Sequence, residues 1–261
     1  MSGHEESQPE TRRLTASEIF AAAVENAREE VHRSPRTLAF SGLAGGLTLG
    51  LTGLAVACVR AMLGDGPWQN LVSYFIYPVG FIAVIIGRAQ LFTENTLYPV
   101  VLVLDERRYF SATLRLWAVV FASNIFGAFC FSLLVIKSSA LDPRITLELT
   151  KLGLLAATGN ASHFFWSGIV GGWLIALVAW VVTASHWTIG QLVMVWLLTF
   201  VVGVGHFAHC IVTSGEILSA VVAGTLSAGA YFHWLIPATF GNIVGGVVIV
   251  SLLNYGQVRE A

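Results

Sequence analysis

Nine residues, Arg88-Ala89-Gln90-Leu91-Phe92-Thr93-Glu94-Asn95-Thr96, interrupt an apolar run that extends over Leu71–Ile86 before them and Leu97–Leu104 after them. Lipid offers such side chains no hydrogen bonds, and a charge at bilayer depth costs ~2.5–3.5 kcal/mol on the mildest scale. A stretch of this kind survives only inside protein or beside a water-filled cavity. It reads as a broken membrane helix lining a pathway. The whole chain agrees: 11% of its residues are charged and 56% hydrophobic, where a soluble domain carries ~25% charged. The chain is therefore read as an integral membrane protein, all-α.

Six apolar segments are each near the ~20 residues that a bilayer requires. They run over Leu38–Met62, Trp68–Leu104 (broken at Thr93), Leu114–Ile136, Ser162–Thr183, Ile189–Ala223 (broken near His209) and Ala230–Leu253. The second and fifth are too long for one simple helix and carry polar residues at their middles, which divides the chain into two halves of three segments. The third and sixth share an Asn-Ile-x-Gly core, Asn124-Ile125-Phe126-Gly127 and Asn242-Ile243-Val244-Gly245, whose small residues let helices approach closely. Three segments per half is an odd number, so the halves are expected to be inserted with opposite topology. Discontinuous helices at equivalent places in inverted halves point to a transport site.

Ahead of the first segment, Thr15-Ala16-Ser17-Glu18 reads as a capping box. Phe20, Val24, Ala27 and Val31 then recur at helical spacing, so Leu14–His32 is amphipathic. It suits an interfacial helix on the bilayer or a neighbouring subunit, and equally a soluble cap helix. The polar, acidic Met1–Arg13 does not resemble a cleavable signal, and Met1–Glu10 reads as disordered. Residues 1–36 are thus expected to be a tail with this helix, 37–254 the membrane domain and 255–261 a second tail. Short flanks on one side hold Arg12, Arg13, Arg28, Arg33, Arg36, Arg107, Arg108, Arg115 and Arg259; those opposite hold Arg60, Lys137, Arg144 and Lys151. The bias places both termini in the cytoplasm of a multi-pass protein in the cell (inner) membrane, with Lys137–Gly159 as its only long loop, outside. Cys58, Cys130 and Cys210 lie in apolar runs without metal or disulfide spacing, and the formal charge of −1 implies no nucleic-acid partner.

The second break reads Gly205-His206-Phe207-Ala208-His209-Cys210-Ile211-Val212-Thr213-Ser214-Gly215-Glu216. A break frees amides at one half-helix end, and these form a ready anion site. With Thr hydroxyls and an imidazole they offset the desolvation of an ion held deep in the membrane. His206 and His209 alone complete no metal or haem ligand set, no cofactor is implied, and Val212-Thr213-Ser214-Gly215 lacks the pattern of an intramembrane serine protease. The chain does not read as an enzyme.

The run Gln90–Thr96, the His209 break, the inverted halves and Gly241-Asn242-x-x-Gly245-Gly246 resemble the formate–nitrite transporter family. The resemblance covers Thr37 to about Leu253. It implies an aquaporin-like fold and homopentamers in the lipid bilayer, with a pore in each protomer for small monovalent anions such as formate, nitrite and hydrosulfide, in some members with a proton. Carried over by motif, Leu91 and Phe92 belong to an apolar constriction, Thr93 is the hydroxyl of the break, and His209 is the pore histidine. Arg88, Gln90 and Glu94 depart from the family pattern, which has Gly, an acid and a small residue around Leu-Phe-Thr. The fourth segment reads Ser167-Gly168-Ile169-Val170-Gly171-Gly172-Trp173, with Gly where the family has Asn. Leu155–Ser162 offers no pore lysine, and Thr213 stands for the usual Asn. With Ser214 and Glu216 these changes resemble the divergent YfdC-like branch. Arg88 is expected to pair with Glu94 or Glu216. Three functions remain in view: passage of a small anion or its weak acid, passage of neutral polar solutes, and a non-transporting scaffold.

Overall fold

The computed structural model is all-helical and describes residues 12–64 and 66–259; the Met1–Glu10 stretch lies outside them. In chain order the helices are α1 Ala16–His32, α2 Pro35–Leu49, α3 Leu51–Leu63, α4 Pro67–Phe75, α5 Val79–Ile86, α6 Tyr98–Glu106 and α7 Phe110–Lys137. There follow α8 Pro143–Ala156, α9 Ala161–Thr183, α10 Thr188–Val204, α11 Val212–Val222, α12 Ala228–Val244 and α13 Leu253–Arg259, with a π-helical stretch Gly245–Leu252 joining the last two. Among the described residues, five runs are long and apolar enough to cross a membrane: Pro35–Leu63, Pro67–Ile86, Phe110–Lys137, Ala161–Thr183 and Ala228–Arg259. The fifth apolar segment is divided between α10 and α11, of 17 and 11 residues.

Two helix crossings dominate the packing, α2 on α7 and α9 on α12, and both depend on missing side chains. A Cβ on Gly46 would lie 2.0 Å from the Asn124 carbonyl, and one on Gly127 would lie 2.5 Å from that of Leu43. At the other crossing, a Cβ on Gly172 would lie 2.2 Å from the Asn242 carbonyl, and one on Gly245 would lie 2.1 Å from that of Ile169. Without a hydrophobic drive between helices in lipid, backbone contact through small residues supplies the association. Gly46 and Gly127 therefore do for one half what Gly172 and Gly245 do for the other.

The structure chooses between the two readings of the amphipathic N-terminal stretch. Thr15 and Glu18 form the capping box, and the apolar face (Phe20, Ala23, Val24, Ala27, Val31) is 0–6% exposed. That face is covered by α6 and α13 of the same chain, which makes α1 a cap helix. Arg28 fastens it, donating from Nη2 to Glu106 Oε1 at 2.7 Å. The hydrogen bond from Arg28, seconded by Arg108, holds the Glu106 carboxyl below the ordinary range. A depressed carboxyl keeps its partner at neutral pH and loses it only as pH falls through the folded value. Glu106→Gln is expected to speed protease cutting between α1 and α2 and amide exchange in α1. Unchanged rates would leave the apolar face alone holding the helix.

Lys137–Gly159 is not a plain loop. Asp142 caps the first turn of α8 and Pro143 opens it, an arrangement preorganised for a helix start. Leu149, Leu152 and Gly153 of α8 are buried, and Gly153 lies so close to α11 that a Cβ would sit 2.2 Å from the Glu216 carbonyl. Amphipathic spacing in a short segment between two long apolar ones is easily passed over. The last apolar segment likewise extends beyond Leu253 to Arg259 through the π-helical stretch.

Candidate functional site

Two of the breaks between helices, the one between α5 and α6 and the one between α10 and α11, are built in the same way. After α5, Arg88 takes φ 59°, its N–H donates to Ile85 O at 3.2 Å, and Ala89 N–H donates to Val84 O at 3.0 Å. After α10, His206 takes φ 51°, its N–H donates to Gly203 O at 3.1 Å, and Phe207 N–H donates to Val202 O at 3.1 Å. Both are helix ends closed by a left-handed residue, a position that glycine usually fills. Here Arg and His fill it, at a conformational cost of roughly 1–2 kcal/mol.

Each loop is then fastened by one asparagine and one serine. Asn124 Oδ1 accepts from Phe92 N–H at 2.9 Å, while its Nδ2 donates to Gly42 O at 2.7 Å and Gln90 O at 2.9 Å. Asn242 Oδ1 accepts from Cys210 N–H at 2.8 Å, and its Nδ2 donates to Gly168 O at 2.7 Å and Ala208 O at 2.8 Å. Ser41 Oγ takes Gln90 N–H at 3.0 Å, and Ser167 Oγ takes Ala208 N–H at 2.9 Å. Both asparagines are fully buried. In this register His209 corresponds to Leu91, and His206 to Arg88.

The two loops meet through one hydrogen bond, Thr93 Oγ1 to His209 Nε2 at 2.8 Å, between groups that are both 0% exposed. The far side of the ring is also committed: Nδ1 accepts from Val212 N–H at 3.0 Å and lies 3.4 Å from Ile211 N. Amides cannot accept a proton, so Nδ1 is the acceptor and the proton sits on Nε2, directed at the Thr93 oxygen. The Thr93 hydroxyl hydrogen is then free to point elsewhere. Phe81 packs edge-on against the imidazole, with centroids 5.2 Å apart.

Two cavities flank these loops. The larger, about 300 Å³, is lined by Phe207, Ala208, Thr213 and Glu216 together with Tyr74 and His206. The smaller, about 110 Å³, is lined by Arg88, Gln90, Leu91 and Glu94 together with Glu29 and Glu30 of α1. Thr93 and His209 line neither, but Ala208 beside His209 lines the larger, and Glu94 beside Thr93 lines the smaller.

Of the sequence candidates, Thr93 and His209 are in contact, and Leu91, Gln90, Arg88 and Glu94 share the smaller cavity. Phe92 faces neither cavity; its ring packs on Phe121 at 4.9 Å and Trp117 at 5.8 Å. Ser214 is a fastening residue, with Oγ 2.6 Å from Cys210 O and 3.0 Å from the Tyr231 hydroxyl. Arg88 and Glu216 belong to different cavities, and among the described residues no ion pair joins Arg88 to Glu94 or to Glu216. Sequence reasoning missed Phe81, Phe207 and Tyr74, which look like ordinary core aromatics, and gave His206 only a metal reading. Carrying the Asn-Ile-x-Gly match back through Gly87-Arg88 and Gly205-His206 would have found His206.

The model of the formate/nitrite transporter family matches residues 17–256. The Escherichia coli inner membrane protein YfdC is 32% identical over 243 residues, covering 90% of this chain and 76% of its own. A probable formate transporter of Methanothermobacter thermautotrophicus is 29% identical over 235 residues, covering 84% of this chain and 83% of its own. Among solved structures, an ion channel of the same family superposes with a TM-score of 0.82 at 18% identity over 92% of this chain and 98% of its own. A pentameric formate channel with formate bound gives 0.74 at 18% identity over 87% and 98%.

Proposed function

The chain belongs to the formate/nitrite transporter family, and from that premise we propose that it passes a small monovalent anion, or its weak acid, across the inner membrane. The observation that carries this reading is the buried Thr93–His209 hydrogen bond joining two equivalent loops, each of which has residues lining a cavity. In this reading the chain has six spans in two inverted halves, with the second and fifth spans interrupted at these loops. The identical asparagine fastening of the two loops supports that duplication. Both termini lie in the cytoplasm, so the smaller cavity, rimmed by α1, opens inward and the larger outward. Leu91, Phe81 and Phe207 narrow the path on either side of the imidazole. Five copies assemble, by analogy with the pentameric formate channel that shares the fold.

The mechanism follows from the dry constriction. A charge there meets a desolvation penalty of several kcal/mol, which the Nε2–H, the Thr93 hydroxyl and a proton on the solute all reduce. Carboxyl groups in both cavities favour a second reading, a channel for neutral polar solutes. Purified protein in liposomes separates the two. Uptake of formate, nitrite or hydrosulfide that quickens as the external pH falls is expected, with a neutral polar solute left outside. Entry of the neutral solute, with no flux of any of the three acids and no current, would replace the first reading by the second.

A further inference from the structure

Resting on that reading, we infer that Glu216 is the proton donor of the larger cavity, handing its proton to the arriving anion so that the neutral acid enters the constriction. Glu216 is 8% exposed and faces the cavity. Among the described residues, no hydrogen bond or ion pair reaches its carboxyl oxygens. Its carboxyl oxygens are not among the sealed, unpartnered side-chain atoms of the described residues, so they are open to whatever enters the cavity. Space is kept for it: a Cβ on Gly53 would lie 2.9 Å from Glu216 Cγ.

The surroundings fit a proton carrier better than a structural ion pair. Arg60 of α3 is a cation whose charge reaches Glu216, but its ion pair, at 3.3 Å, is with Glu148 of α8, which also holds Lys151 at 2.6 Å. Tyr74 of α4 places its hydroxyl 3.3 Å from His206 Nδ1, and both line the cavity with Tyr77 of α5's approach and His163 of α9. From α12, the Tyr231 hydroxyl is engaged by Ser214 at 3.0 Å. The elements α2 and α7 meet this part of α11 through Gly50, Phe131 and Ser132. Thr213 lies three residues before Glu216 on α11 and lines the same cavity, one turn nearer His209 on the same face. Thr213 thus stands between Glu216 and His209 in the chain, and a solute protonated at Glu216 passes it on the way to the imidazole.

The step balances simply. The O–H bond of the Glu216 acid breaks as an O–H bond forms on formate or nitrite, or an S–H bond on hydrosulfide. The carboxylate left behind takes a proton from water in the cavity. Such a donor matters because a carboxylic acid of ordinary pKa, near ~4, is only about one part in a thousand neutral at pH 7.

The test is formate uptake into liposomes by wild type, Glu216→Gln and Glu216→Asp, each checked for assembly, over a range of external pH. Glu216→Gln is expected to be about tenfold slower near neutral pH and to converge on wild type near pH ~4, where the solution itself supplies the neutral acid. Glu216→Asp should retain uptake with a displaced pH profile. Should the glutamine variant fail to assemble, the aspartate variant decides, and a wild-type profile from it overturns the inference. Glutamine rates equal to wild type throughout, or lowered equally at every pH, also overturn it. Wild-type protein that carries no acid at any pH would instead remove the transport reading itself, before any variant is compared.

Discussion

Replacing Asn124 or Asn242 with alanine is expected to abolish assembly of the protein. Each side chain is fully buried and makes three hydrogen bonds, one to a loop amide and two to carbonyls on either side of a helix–loop contact. Truncation leaves an unpaired amide, which costs ~1–3 kcal/mol, and withdraws a donor from two carbonyls at ~1 kcal/mol each. The total is roughly 3–5 kcal/mol per asparagine, a large part of the 5–15 kcal/mol that usually separates folded from unfolded states. Water cannot easily take the vacated place. The Asn124 carbonyl is where a Gly46 Cβ would lie at 2.0 Å, and the Asn242 carbonyl where a Gly172 Cβ would lie at 2.2 Å.

Aspartate at either position sharpens the test. It keeps an acceptor for the loop amide but turns two donors into acceptors facing carbonyls, so Asn124→Asp should be at least as damaging as alanine. Serine-to-alanine changes at Ser41 and Ser167 remove one acceptor each and should be milder, near ~1 kcal/mol. Size-exclusion chromatography after detergent extraction reads the outcome. A monodisperse, heat-stable oligomer from Asn124→Ala would mean that the loop geometry is held elsewhere.

The path from residues to site was legible where the physics is categorical. Arg88, Gln90, Thr93, Glu94 and Asn95 cannot face lipid, so they had to mark an irregular, protein-enclosed segment whatever the fold. The second polar break and the repeated Asn-Ile-x-Gly core followed by the same reasoning. What stayed hidden depended on distances between distant residues. Nothing in Asn124 announces that it fastens Phe92 and Gln90, because helix-contact glycines alone account for its neighbourhood. Of the two acids that charge alone offered to Arg88, Glu216 opens into the other cavity, whereas Glu94 lines the same one. Phe92 sits beside Thr93 in sequence yet turns its ring to Phe121 and Trp117. Adjacent residues in an irregular loop share no rule for side-chain direction, unlike neighbours on a helix or strand. Helix α8 was missed because a half-buried helix between two long apolar ones has the composition of a loop.

Thr93→Val and His209→Ala are expected to slow acid uptake by roughly 10- to 150-fold, the equivalent of losing ~1.5–3 kcal/mol of hydrogen bonding in a dry constriction. The two act differently. Valine keeps the shape of threonine but leaves the imidazole Nε2–H facing an apolar surface, so the ring keeps its amides and loses its partner. Alanine at His209 strands the Val212 amide and empties the space against Phe81, which removes the donor and admits water at once. Thr93→Ser restores the hydroxyl and should recover most of the flux. That recovery separates a role in contacting solute from a role in packing, because serine lacks the methyl group as surely as valine lacks the oxygen. His209→Ala should in addition pass neutral solutes that wild type excludes, since the gap it opens is uncharged. Wild-type uptake in both Thr93→Val and His209→Ala, with oligomers intact, would move the selective contact away from this hydrogen bond and onto the apolar side chains proposed to narrow the path, Leu91, Phe81 and Phe207.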